Sequence, residues 1–367
     1  MIKTVIHLGS KICRDFLQTK LKYRTKPKVL QLPVTGKCNS RCMTCNVWKN
    51  KPFTDINPED LQKVLQDSYF KKIEAVGLNG GEPTLHQNFN EVIDAVLQLP
   101  KLKSVHIISN ALNTDKILAI LKYAKTQCSS KGVRLGLTVS IDGIAEVHNF
   151  VRGIPLAFDR TVKSLNEIAG NKNDYCDYME IGCTVSRHNV FNLAETDSYF
   201  SEYSVPVFYH LAVPNKRIGT FDDYDYSVLS DTRAKLMAEE FFLTKYLMDS
   251  KNFSEKIRYF MNYYFLKNEG KGRLAMCSYL HRDITVDENL NVYLCATASD
   301  RIGNLKENNF KKFIRDGQLK AVENRLRQEC NTCIHYVDLP SLKGLFVFCR
   351  YHFNERMKWR KFNILRK

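Results

Sequence analysis

The stretch TGKCNSRCMTCNVWK, Thr35 to Lys49, places Cys38, Cys42 and Cys45 directly after VLQLPV, Val29 to Val34, an apolar run of strand length. Three thiolates at this spacing can wrap one corner of an iron-sulfur cluster, whose irons are normally held by four cysteines. With no fourth cysteine nearby, one iron would stay open. The spacing alone also admits a zinc ion completed by a distant ligand, or plain reactive thiols. What decides between them lies at the ends of the strands that follow.

Those strands are expected at Ile73 to Asn79, Ser104 to Ser109, Val133 to Ser140, Tyr178 to Val185 and Val205 to Val213. Helical patterns such as PEDLQKVLQDSYF and FNEVIDAVLQL separate them, with Asn57 as a cap before Pro58. Repeated βα units of this kind give an α/β fold with parallel strands, either an open sheet or a barrel. Each of the next three strands ends in a polar or small-residue motif: NGGEPTL, SNAL and SIDG. Alone, each is a common turn. In α/β folds ligands bind beyond the carboxyl ends of parallel strands, so four such ends in succession describe one site. Gly80 and Gly81 would let backbone approach a ligand, and Glu82 offers a carboxylate to an ammonium group.

The chain has 367 residues, 44% of them hydrophobic, enough for one large domain or two modest ones. No apolar run is long enough to span a membrane and no secretory signal is evident, so a cytoplasmic, reducing setting is expected. The formal charge of +16 is concentrated at the ends. Met1 to Lys28 holds eight Lys or Arg against Asp15, net +7, and Lys343 to Lys367 holds eight against Glu355, again net +7. In the first of these, Ile2, Val5, Ile6, Phe16 and Leu17 follow helical spacing opposite Lys3, Lys11 and Arg14. Two readings stand: helices packed on the protein's own core, or interfacial segments on the inner face of an anionic membrane, which would suit a lipid-linked substrate. Nucleic acid is not the expected partner.

On these motifs the sequence resembles the radical S-adenosylmethionine (SAM) superfamily, SPASM and twitch branch. The CxxxCxxC is Cys38, Cys42 and Cys45, the GGEP is Gly80, Gly81, Glu82 and Pro83, and the fourth-strand signature is Ser140, Asp142 and Gly143. His148, Arg152 and Phe158 fall in the branch's downstream pattern. The resemblance implies a partial (β/α)6 TIM-like barrel and reductive cleavage of SAM, chelated at the open iron of a [4Fe-4S] cluster, to a 5'-deoxyadenosyl radical. It further implies that Glu82 holds the methionine amino group, that Ser109, Asn110 and Ser140 lie near the ribose, and that Arg152 faces the SAM carboxylate. An external electron donor such as flavodoxin or ferredoxin is implied as well.

A second cysteine group, Cys277, Cys295, Cys330 and Cys333, forms a Cx17C followed by a CxxC. Four thiolates make a closed site, for zinc or for a cluster. The arrangement is similar to the twitch domain of the radical SAM dehydrogenase of aminoglycoside biosynthesis, which implies a single auxiliary [4Fe-4S] cluster. Cys349 is a substitute candidate for one ligand. Leu290 stands where that pattern has glycine, so the hairpin DITVDENLNVYLC is expected to turn at Asn289. The implied organisation is a basic amphipathic segment 1–28, a radical SAM barrel 29–230, a helical connector 231–270, an auxiliary-cluster domain 271–342 and a basic aromatic tail 343–367.

Among the remaining residues, alternation turns Cys183 toward the helices, with a hydrogen-atom donor as the sharper alternative. His210 is a substrate-contact candidate, like His86. The expected function is oxidation or epimerisation of a small polyol, sugar or aminocyclitol. Peptide modification, of the ribosomal-peptide or sulfatase-maturation kind, is the alternative, and 28 residues before the barrel are few for a leader-binding domain. A non-enzymatic zinc protein binding nucleic acid is the reading from another class.

Overall fold

The computed structural model describes residues 17, 21, 24–221, 225–250, 252–335 and 340–365, with side chains of the last helix described to residue 353. Most of the amphipathic N-terminal segment and the far end of the basic tail lie outside the described residues.

Six parallel strands form the frame. They are β1 (Val29–Pro33), β2 (Ala75–Asn79), β3 (Ser104–Ser109), β4 (Arg134–Ser140), β5 (Tyr178–Val185) and β6 (Val207–Leu211), each paired in register with the next. This is the parallel α/β architecture that the alternating pattern predicts. Helices α1 (Pro58–Leu65), α2 (Phe89–Val96), α3 (Thr114–Ser130), α4 (Ala145–Arg152), α5 (Ala157–Gly170), α6 (Lys172–Tyr175) and α7 (Leu193–Ser201) fill the crossovers. Local chemistry starts α1 where the sequence predicts: the Asn57 side chain accepts the Asp60 amide and Pro58 opens the helix.

Strand periodicity sorts the two faces. In β3, Val105 and Ile107 are buried against helices while His106 and Ile108 are half-buried on the opposite face; in β5, Ile181 and Cys183 are buried and Glu180 and Thr184 half-buried. The outer faces join the helices in one apolar core. The inner faces line a polar lumen.

After β6 the chain runs through α8 (Thr232–Thr244), a π-helical turn (Lys245–Asp249) and α9 (Phe253–Lys267), whose buried Phe242, Tyr246, Phe260 and Leu266 form a second core with the outer face of β5 and β6. Three short strands then extend the sheet. β7 (Ile284–Val286) runs parallel to β1, and β8 (Asn291–Tyr293) and β9 (Arg301–Asn304) add antiparallel neighbours, for the order β6-β5-β4-β3-β2-β1-β7-β8-β9. The expected hairpin is present, but the expected turn residue is not: the left-handed position is Leu290 itself, φ 64°, rather than Asn289. Two forces hold it there. Asp287 accepts the amides of Asn289 and Asn291, and the Leu290 side chain is fully buried in the main core. Helices α10 (Phe310–Arg315), α11 (Gln318–Glu329) and α12 (Leu342–Leu365) complete the chain. Among the described residues no helix is long and apolar enough to cross a membrane.

Candidate functional site

The loop after β1 carries Cys38, Cys42 and Cys45 at the carboxyl end of the strands. Glycines let it lie there. A Cβ on Gly81 would stand 2.0 Å from the Lys37 carbonyl oxygen, and one on Gly80 2.6 Å from that of Thr35. On the other side Gly153, φ 63°, leaves room for Arg41, whose carbonyl a Cβ would meet at 2.6 Å. Backbone bonds complete the grip: Gly81 and Glu82 donate to Thr35 and Lys37, and Arg41 and Met43 donate to Arg152 and Val151. The GGEP glycines thus bring the cysteine loop against β2, besides any role toward a ligand.

Glu82 is fully buried and its carboxylate is engaged by the protein. Ser109 Oγ donates at 2.7 Å, the Asn110 amide at 2.8 Å and the Thr84 amide at 3.1 Å. Burial pushes its pKa up in spite of these donors. Asn110 reaches back to the loop, donating to Asn39 Oδ1 and Ser40 Oγ. Opposite, Arg152 on α4 pairs with the buried Asp142 at 2.9 Å and approaches Cys42 Sγ at 3.8 Å. Burial opposes the guanidinium charge, and the Asp142 carboxylate together with the nearby Cys42 and Cys183 more than offsets that, holding Arg152 above its usual range. Asp142 is oriented in turn: its carboxylate accepts the Thr184 amide, and its own amide donates to His148 Nδ1. His148 is therefore a buried brace. So is His86, whose Nε2 meets the Ile56 carbonyl and whose Nδ1 accepts the Asn88 amide.

The three thiols are half-buried and lie close enough to influence one another. Burial pushes Cys38 up to about 12 and Cys45 up to about 11. Thiols of this kind ionise when a cationic metal binds.

The second group is assembled from separate segments. Cys277, Cys295, Cys330 and Cys333 line one small cavity with Arg273, Tyr279, Thr297 and His335. Arg273 stitches it together by donating to the carbonyls of Ala275, Met276 and Cys333. Cys349 is exposed on α12 and does not line this cavity. In both groups backbone amides point at sulfur: Ser40 at Cys38, Ala298 at Cys295 and His335 at Cys333. Among the described residues no three of His, Cys, Asp and Glu converge tightly enough to hold a single metal ion. A zinc tetrahedron with 2.3 Å bonds needs its sulfurs about 3.8 Å apart. Four thiols sharing one cavity, with amides donating to two of their sulfurs, are a donor set that fits an iron-sulfur cluster as well as zinc.

Between the two groups lies the lumen. His106 Nε2 meets Thr138 Oγ1 at 2.6 Å, and Thr138 donates to Glu180 at 2.9 Å. Burial holds His106 at about 4, so the ring is neutral, and lifts Glu180 above its usual range. Gln31 bonds Asn79, and Thr184 bonds His210, which burial likewise holds at about 4. Ser140 is half-buried on the same face. Cys183 is not part of this surface. It is fully buried on the outer face of β5, in the core shared with α8 and α9.

The predicted residues therefore gather as two sets, Cys38 to Arg152 around the first loop and four cysteines around the second cavity, with His210 between. The lumen ladder and Arg273 escaped the sequence. A period-two reading that asked which strand positions carry polar residues would have found His106, Thr138 and Glu180.

Residues 32–187 match the model of the radical SAM superfamily. The GTP 3',8-cyclase of Pasteurella multocida is 28% identical over 162 residues, 42% of this chain and 46% of that protein. The antilisterial bacteriocin subtilosin biosynthesis protein AlbA of Bacillus subtilis is 24% identical over 195 residues, 52% of this chain and 41% of AlbA. The chain thus spans about half the length of the curated relatives it matches. Native anSMEcpe with bound AdoMet and a Kp18Cys peptide shares the fold, covering 90% of this chain and 98% of that one at TM-score 0.59 and 16% identity. Motif, fold and match agree over one part of the chain: residues 32–187 form a radical SAM domain, the domain of a superfamily that uses SAM and a [4Fe-4S] cluster.

Proposed function

We propose that the chain oxidises a small hydroxylated substrate, of the polyol, sugar or aminocyclitol class, held in the lumen between two iron-sulfur sites. Cys38, Cys42 and Cys45 hold the SAM-binding cluster, and Cys277, Cys295, Cys330 and Cys333 hold the auxiliary one. When bound, these groups supply a 5'-deoxyadenosyl radical for hydrogen abstraction and an acceptor for the second electron.

The chain's own residues orient and deprotonate. Glycines 80 and 81 and the Asn110 side chain fix the cysteine loop, Glu82 and Ser109 brace it, and Arg152, locked by Asp142, presents a guanidinium edge suited to the SAM carboxylate. Ser140 borders the same space. Converting an alcohol carbon to a carbonyl requires loss of one hydrogen atom, one electron and one proton. Glu180 takes the proton, since its carboxylate faces the lumen and its raised pKa makes it a better base than an ordinary carboxylate.

The observation that carries oxidation over epimerisation is the position of Cys183. Redox-neutral epimerisation needs a hydrogen-atom donor beside the substrate radical, and the one cysteine on β1 to β6 is packed away from the lumen. Peptide modification remains the second reading, favoured by the bacteriocin-biosynthesis name of AlbA and by the peptide bound to anSMEcpe.

Anaerobic reconstitution followed by metal analysis and product detection tests the proposal. About eight irons per chain and reductant-dependent 5'-deoxyadenosine are expected. Addition of a small-polyol fraction, rather than a peptide fraction, should raise the 5'-deoxyadenosine yield. One zinc and no SAM cleavage would overturn the reading, and a response to peptides alone would transfer it to the second.

A further inference from the structure

One lumen residue is poorly explained by a neutral or cationic substrate. Arg258 reaches from α9 to the open side of the barrel, where its guanidinium lies 4.2 Å from the ring centroid of Phe208, a half-buried inner-face residue of β6. Its Nε is buried without a hydrogen-bond partner. Among the described residues it forms no ion pair: Arg152, the other guanidinium near the lumen, is matched by Asp142, and Arg258 has no such carboxylate. Glu180 is near enough for the two charges to influence each other, yet its carboxylate is bonded to Thr138.

Arg258 is half-buried, and a guanidinium with its Nε shut off from water and no acceptor there carries a cost that proteins normally offset by pairing. Stacking on Phe208 fixes the plane of the guanidinium and leaves its N–H edge free to meet a planar or tetrahedral anion in two parallel bonds. Rank along the barrel is also informative. Phe208 pairs in register with Gly182, next to Ser140, so Arg258 sits one layer above the His106–Thr138–Glu180 ladder and one below His210.

We infer that Arg258 is a substrate-binding residue and that the substrate carries an anionic group, a carboxylate or a phosphate, which Arg258 receives while the ladder below takes the hydroxyl groups. This rests on the lumen being the substrate site. It narrows the substrate to an acidic or phosphorylated polyol or sugar and excludes neutral ones.

The test uses the reconstituted holoprotein with inorganic phosphate as the probe, then acetate to separate phosphate from carboxylate. In the reduced protein the paramagnetic clusters shorten the 31P relaxation time of phosphate bound in the lumen and barely affect phosphate on the outer surface. A saturable effect is expected in the wild type. Arg258→Gln should raise the apparent dissociation constant at least about tenfold, the scale of a lost charge-assisted bond pair. Arg258→Lys, which keeps the charge and loses the fork, should fall between and guards against misfolding in the first variant. Competition by acetate assigns the site to carboxylates as well. No saturable effect in the wild type, or the same constant in wild type and Arg258→Gln, overturns the inference. Wild-type SAM cleavage in the same preparations separates the two ideas: cleavage without phosphate binding sinks only the anion site, whereas absence of cleavage sinks the underlying function.

Discussion

The two cysteine sites are built in opposite ways. Cys38, Cys42 and Cys45 come from one loop, and their positions follow from a tight backbone path that Gly80, Gly81 and Gly153 permit. The other four cysteines come from the segments before β7, after β8 and after α11, and meet only because β7 pairs with β1 and Arg273 ties Cys333 to the backbone beside Cys277. A local site can exist before its ligand binds. A site made from distant segments borrows part of its stability from the ligand itself.

Breaking each site separately gives the largest effects. Replacing Cys38, Cys42 and Cys45 together by Ala should abolish 5'-deoxyadenosine formation and remove about half of the iron, with the thermal melting of the C-terminal strands little changed. Replacing Cys330 and Cys333 should also remove about half the iron, but here protease resistance of 271–335 should fall with it. Equal resistance in the two variants would erase the contrast between the sites.

Backbone geometry gives the next test. Gly81→Ala places a methyl group 2.0 Å from the Lys37 carbonyl, so the loop must move. Destabilisation of about 1–3 kcal/mol and a fall in SAM cleavage of tenfold or more are expected, with the auxiliary iron retained. The chemistry between the sites is probed by Glu180→Gln. Substrate oxidation should be lost while SAM cleavage continues. In the wild type, Glu180 must be ionised to accept a proton and burial raises its pKa, so the oxidation rate should fall as pH drops through a value above the ordinary 4.5.

The smallest effect concerns Leu290. A left-handed leucine costs roughly 1 kcal/mol or more, whereas complete burial of its side chain contributes about 2–3 kcal/mol. Leu290→Gly should therefore destabilise, by about 1–2 kcal/mol net, although glycine is the better residue for the turn itself. A more stable variant would show that the turn, not the core, governs this hairpin.

Much of the fold was legible. β3 and β5 fall on the predicted residues, and the other four parallel strands lie within the predicted runs, because alternation and flanking turn residues act over a few positions. The Asn57 cap was legible for the same reason. β9 was not foreseen, since its four residues, Arg301–Asn304, carry no alternation of apolar side chains. The turn at Leu290 was misplaced because local propensity favours Asn for a left-handed conformation, and burial of the leucine outweighed it.

By itself the sequence determined the parallel βα frame, the triplet of cysteines at a strand end and the existence of a second cysteine group, all of which depend on spacing along the chain. Tertiary structure alone decided that Arg152 is locked by Asp142 against Cys42, and that Arg258, without an ion pair among the described residues, stands on Phe208 above a ladder of His106, Thr138 and Glu180. The physical reason is that hydrogen bonds, ion pairs and burial act over a few ångströms of space, and residues such as Thr138, Glu180 and Arg258 become neighbours only when separate strands and a later helix close around one lumen.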